Sequence, residues 1–118
     1  DDNFLPTECV PCPPEWDLST GRDVAGLDCD TVFEGWDGRA RITWPNRGVG
    51  LVIEADDSLN RLVVYAPADA DIFCAEPVSQ ITDAFNRSAD GAPAAETGMR
   101  ILAPGETWRA GVWFRPGA

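Results

Sequence analysis

Arg39-Ala40-Arg41-Ile42-Thr43-Trp44-Pro45-Asn46-Arg47-Gly48-Val49-Gly50-Leu51-Val52-Ile53-Glu54-Ala55 decides the fold class. Ala40, Ile42 and Trp44 alternate with Arg39, Arg41 and Thr43, a period of two that puts apolar and polar side chains on opposite faces of a strand. Pro45-Asn46-Arg47-Gly48 is a turn, because Pro presets φ and Gly accepts the positive φ that reverses a chain. Val49, Leu51, Ile53 and Ala55 then share one face of a second strand. The stretch reads as a half-buried hairpin.

Working outward, Asp56-Asp57-Ser58 ends that strand, and Leu59 to Ala66 opens another. Leu62-Val63-Val64-Tyr65 is apolar on both faces, which predicts a central strand. Ile72-Phe73-Cys74-Ala75-Glu76 is a further short strand, stopped by Pro77. Met99 to Leu102 leads into the turn Pro104-Gly105. Near the end, Trp108, Ala110, Val112 and Phe114 alternate with Arg109, Gly111, Trp113 and Arg115, so the first four are expected on a core face. Only Ser79 to Asn86 has the makings of a helix, with Ser79 or Thr82 as cap, while Asp90 to Thr97 reads as an exposed loop. Before residue 31 the texture differs: Pro6, Pro11, Pro13 and Pro14 forbid a regular helix and discourage central strands, leaving residues 1–30 as a long arm over a neighbouring surface. The expectation is an all-β chain, an antiparallel β-sandwich or barrel half, formed by residues 31–118.

At 118 residues the chain has the size of one domain. Nine basic against 20 acidic residues give a net charge of −11, and every basic residue is arginine. Such an acidic surface repels phosphate backbones and anionic lipid, so neither nucleic acid nor membrane is an expected partner. No apolar run is long enough to span a bilayer and no signal peptide is evident, which reads as cytoplasmic. An all-arginine basic set with abundant Ala, Gly and Pro suggests a GC-rich bacterial genome. The chain contains no histidine, which removes His-dependent triads and dyads and His-ligated metals from its own chemistry.

Cys9-Val10-Pro11-Cys12 has redox-dithiol spacing, yet Pro13-Pro14 follow where such a dithiol needs a helix N-terminus. Cys29 and Cys74 stand apart, short of the second close pair a zinc knuckle requires. The four cysteines therefore read as small buried or loop thiols. Asn86-Arg87-Ser88 fits a glycosylation acceptor, a match that matters only in a secretory pathway. Of the five tryptophans, Trp44 and Trp108 fall on predicted core faces. Trp36, beside a turn in Phe33-Glu34-Gly35-Trp36-Asp37-Gly38, is placed either to line a sugar cleft or to cap the core.

The most informative stretch is Phe73-Cys74-Ala75-Glu76-Pro77-Val78-Ser79-Gln80-Ile81-Thr82-Asp83-Ala84-Phe85-Asn86. Glu76 closes an apolar strand on the face of Ile72 and Cys74. A carboxylate there is partly desolvated and suited to proton transfer, or else it points to solvent or pairs with an arginine.

Phe73-Cys74-Ala75-Glu76-Pro77-Val78-Ser79, followed by Asp83-Ala84-Phe85-Asn86, resembles the C-terminal motif of the aldose 1-epimerases (galactose mutarotase-like proteins). Three further pieces resemble that family in the expected order. They are Phe4-Leu5-Pro6 with Cys12-Pro13-Pro14-Glu15-Trp16-Asp17-Leu18, then Leu27-Asp28-Cys29-Asp30-Thr31-Val32-Phe33-Glu34-Gly35-Trp36-Asp37-Gly38, then Leu102-Ala103-Pro104-Gly105-Glu106-Thr107-Trp108. The resemblance implies the C-terminal part of a large twisted β-sandwich.

It also implies a role for particular residues. Glu76 matches the general base that takes the anomeric hydroxyl proton, and Asp30 matches an aspartate that binds sugar hydroxyls. Gln80, where some relatives have His, and Trp36 are further substrate-binding candidates. The family's acid is a histidine lying upstream, which this chain does not supply. No metal or other cofactor is implied. The expected activity is interconversion of the α and β anomers of a free hexose. The alternatives are a non-catalytic sugar-binding sandwich, or a half-domain completed by an N-terminal partner segment or by homo-oligomerisation.

Overall fold

The computed structural model describes residues 5, 6 and 8–117, so Phe4 of the Phe4-Leu5-Pro6 match lies outside the described residues. Six strands form two antiparallel sheets of three: β1 (Cys29–Phe33), β4 (Arg61–Ala66) and β5 (Cys74–Val78) in the order β1-β4-β5, and β2 (Arg39–Trp44), β3 (Val49–Ala55) and β6 (Val112–Gly117) in the order β2-β3-β6. The described residues are all-β apart from two short helices, α1 (Ala84–Ala89) and α2 (Ala94–Thr97), and single 3-10 turns at Pro14–Trp16 and Pro45–Arg47.

The predicted hairpin is β2–β3, with Ala40 opposite Ile53 and Ile42 opposite Leu51. Gly48 closes its turn at φ 62°, a left-handed conformation that costs a residue without Cβ nothing. Asp56 then ties β3 to the strand it pairs with next. Its backbone N–H donates to the Gly111 carbonyl at 3.0 Å, and the Gly111 N–H donates to Asp56 Oδ2 at 2.5 Å. This reciprocal pair fixes the entry to β6 beside the end of β3.

The doubly apolar run Leu62–Tyr65 lies in β4, the central strand of its sheet, as expected. Cys29, Leu62, Val64 and Ala66 form a buried cluster on one face of that sheet. Trp16 and Leu18 of the arm, with Leu27, pack against it. Prolines deny the arm a ladder of its own, so it serves as a lid of side chains. The second sheet reaches the same cluster through Ala40, and Trp44 meets Phe73 with ring centroids 6.4 Å apart.

Four local expectations are corrected. The helix starts at Ala84 and not at Ser79, because residues 79–81 are drawn into contacts with the segment around Thr97: the Ile81 N–H donates to the Thr97 carbonyl. Asp90 to Thr97, read as a loop, contains α2, closed by Gly98 at φ 73°. Pro77 does not stop β5 but sits inside it opposite Leu62, which an edge strand permits because proline lacks an N–H and an edge strand needs donors on one side only. Phe114 shares a face with Ile53 and Ala40 but is 62% exposed, since β6 is an edge strand and has a neighbour on one side only. No helix among the described residues is long and apolar enough to cross a membrane.

Candidate active site

The β1-β4-β5 sheet has two unlike faces. In an antiparallel ladder directly opposed residues point the same way and successive residues alternate. One face therefore carries Cys29, Val64, Ala66 and Leu62, the buried cluster. The opposite face carries the row Asp30–Tyr65–Cys74 and, one step along, the row Val32–Val63–Glu76. Asp30 on β1 and Glu76 on β5 thus project from the same face with β4 between them. Two inter-strand spacings separate their strands, about 10 Å.

Both carboxylates are exposed, and neither makes an ion pair or a side-chain hydrogen bond with another described residue. The expected partial desolvation of Glu76 is not met. Glu76 lies on an edge strand, and the residues of the arm that shield the sheet pack against its other face. The surface between the two acids consists of Val32, Val63, Tyr65 and Cys74, half-buried except for Tyr65 at 38% exposure.

Next to Asp30 in the chain but on the opposite face, Cys29 is buried, which pushes its thiol up to about 11, helped by the neighbouring charges of Asp30 and Asp28. At the other end stands Arg61, the first residue of β4 and only 7% exposed. Its guanidinium donates to Glu34 Oε1, Asn60 Oδ1 and the Ser79 carbonyl at 3.0–3.1 Å, and to the Ala95 and Glu96 carbonyls at 3.4 and 3.1 Å. An open cleft of about 590 Å³ lies over this end, lined in part by Asp57, Asn60, Arg61, Ser79, Gly98 and Arg100. Neither Asp30 nor Glu76 lines it.

Gln80 is half-buried in the segment leaving β5, two residues past the last strand residue Val78. Trp36 is committed to the fold: its indole packs against the buried cluster and its Nε1–H donates to the Arg39 carbonyl at 3.0 Å. That cluster is the face opposite to Asp30 and Glu76. Arg61 was not singled out from the sequence. The available signal was a charged residue opening the apolar run Leu62–Tyr65, where an unpaired cation would be costly to bury.

The aldose 1-epimerase family model matches residues 4–115, which takes in Asp30, Arg61, Glu76 and Gln80. The chain belongs to the aldose 1-epimerase family. Within that family it is similar to the uncharacterized protein YphB of Escherichia coli (strain K12), 28% identical over 106 residues. The alignment takes in 84% of this chain and 34% of YphB, so the chain spans about a third of the length of that curated relative. No solved structure matches the chain.

Proposed function

We propose that this chain supplies the base side of a mutarotase site acting on a free hexose. Glu76 is the general base and Asp30 the ligand of a sugar hydroxyl. The observation that carries the reading is their shared face: two unpaired carboxylates stand on either side of β4, above the apolar strip of Val63 and Tyr65. An apolar strip suits the C–H side of a pyranose, and flanking carboxylates suit its hydroxyls. Gln80 stands beyond Glu76 as a further hydroxyl partner.

The chemistry needs little else from these residues. Glu76 takes the proton of the C1 hydroxyl while an acid protonates the ring oxygen, and the bond from C1 to that oxygen breaks to give the open-chain aldehyde. Rotation about C1–C2 exposes the other face of the carbonyl. Reclosure returns the proton from Glu76 to the C1 oxygen and the ring-oxygen proton to the acid. Ring opening and reclosure need only proton transfers within hydrogen-bond reach, and no metal or covalent intermediate enters them. The 118 residues contain no histidine, so in this reading an imidazolium acid comes from outside them, and the same outside segment shields Glu76 from bulk water.

Polarimetry of freshly dissolved α-D-glucose or α-D-galactose tests the reading. The whole polypeptide is expected to speed the approach to the equilibrium rotation, and Glu76→Gln is expected to abolish that acceleration while sugar binding survives. An undiminished rate in Glu76→Gln removes Glu76 from the mechanism. The exposure of Glu76 and the absence of histidine favour one second reading, a sugar-binding sandwich without catalysis. It predicts saturable quenching of tryptophan fluorescence by hexose with no faster mutarotation.

A further inference from the structure

We infer that Arg61 is the positioning residue of the Glu76 site, an inference that rests on the mutarotase reading above. Arg61 touches neither proposed sugar ligand. Its side chain projects from the same face as Glu76, since Arg61 pairs with Val78 and Val63, two residues on, pairs with Glu76. What it holds is the way out of β5.

A guanidinium has five N–H donors, and each has an acceptor here: Nε takes Glu34, Nη1 takes Asn60 and the Ser79 carbonyl, and Nη2 takes the Ala95 and Glu96 carbonyls. Glu34 follows the end of β1, Ser79 follows the end of β5, and residues 95–96 belong to α2. One buried fork therefore fastens two segments that leave the sheet at the same end to helix α2. The α2 carbonyls it reaches are among those a helix terminus leaves without intrahelical partners.

Gly98 completes the clamp from the other side. It holds φ 73°, and a Cβ there would strike the Ser79 carbonyl oxygen, Arg61 Nη1 and Gln80 Cα. The exit of β5 is thus gripped between the Arg61 fork and the Gly98 backbone, with the Ile81 N–H bonded to the Thr97 carbonyl at 3.0 Å just beyond. Glu76 lies on an edge strand, supported by β4 alone among the strands. Its position along and above the sheet depends on where that strand is tied down. A base displaced by about 1 Å loses on the order of a hundredfold in rate.

The experiment compares the unaltered whole polypeptide with Arg61→Lys, Glu34→Gln and Glu76→Gln. Mutarotation is followed by polarimetry at a temperature where circular dichroism shows each variant folded, and hexose affinity by tryptophan fluorescence. Lysine keeps the charge, but its single ammonium cannot span acceptors on three segments. Arg61→Lys is expected to lower kcat about tenfold or more while the hexose Kd changes less than about threefold. Glu34→Gln, which weakens one arm of the fork and leaves its bonds to backbone, is expected to lower kcat about threefold with the same Kd. A role in stability alone would lower the melting temperature of both and leave kcat of the folded protein unchanged.

If both folded variants keep kcat within twofold while Glu76→Gln is inactive, the positioning role is wrong and the mutarotase reading stands. If Arg61→Lys does not fold, Glu34→Gln decides the matter by the same criterion. If Glu76→Gln retains full activity, or the unaltered polypeptide shows none, the mutarotase reading falls and the positioning role falls with it.

Discussion

Glu76 stands directly opposite Val63 on β4, and Asp30 lies opposite Tyr65, two residues further along the same strand. The two acids are thereby held at a set diagonal across one strip of sheet, on the side away from the buried cluster. Register creates this relationship, and register is enforced by burial. A slip of one residue in β4 would turn Leu62, Val64 and Ala66 out of the core.

Asp30→Asn keeps the size and much of the hydrogen bonding of Asp30 but removes its charge. It is expected to raise KM for hexose several-fold with a smaller effect on kcat, whereas Glu76→Gln lowers kcat by about a hundredfold or more, the usual span of a lost general base. Steady-state polarimetry over a range of sugar concentrations separates the two. Equal effects of both changes on KM alone would remove the distinction between base and ligand.

Gly98→Ala meets two penalties at once, a left-handed φ and backbone atoms where its Cβ would lie. The expected loss of stability is about 2 kcal/mol or more, read from urea unfolding. Gly48→Ala is the control. It has a similar φ of 62° but open space around the added carbon, so it is expected to cost about 1 kcal/mol.

Cys29 is 2% exposed, and burial holds its thiol near 11, above the ordinary value of 9.0. The folded state therefore favours the protonated thiol. The stabilisation is fully present below pH 9.0 and is lost as the pH rises towards 11, because the unfolded chain ionises first. Chemical denaturation between pH 8 and 11 is expected to show this loss, and Cys29→Ala is expected to flatten it. The thiol should also resist iodoacetamide in the native protein, while exposed Cys9 and Cys12 react.

Trp36→Phe retains an aromatic body against the cluster but deletes the N–H that the Arg39 carbonyl accepts. A cost of about 1 kcal/mol is expected, with hexose affinity unchanged. A weakened affinity would return Trp36 to the sugar site.

Glu54 lies between Arg115 and Arg39 on the polar face of the second sheet, and its hydrogen bond from Arg115 holds its carboxyl below the ordinary value of 4.5. The paired carboxylate stabilises the fold above pH 4.5, and that contribution disappears as acid protonates it below. The group is open to water, so the effect is expected to be small and reduced by salt. Acid unfolding of Glu54→Gln at low and high ionic strength measures it.

Much of this architecture is legible in residue order because it depends on short-range rules. Alternation in Arg39–Trp44 and Val49–Ala55, with Pro45 and Gly48 between, specifies a hairpin whatever surrounds it. The run Leu62–Tyr65 specifies a strand covered by neighbours on both edges. The order of motifs around Asp30 and Glu76 likewise identifies the family without coordinates. Tertiary structure alone decided three matters. It seated Pro77 within an edge strand, it folded residues 94–97 into a helix that the Arg61 fork reaches, and it sent Trp36 to the core side while bringing Asp30 and Glu76 onto the other. The reason is that turns and alternation act between residues close in the chain. Which face a side chain joins, and where a buried guanidinium finds five acceptors, depends on strands that meet only after the chain has closed on itself.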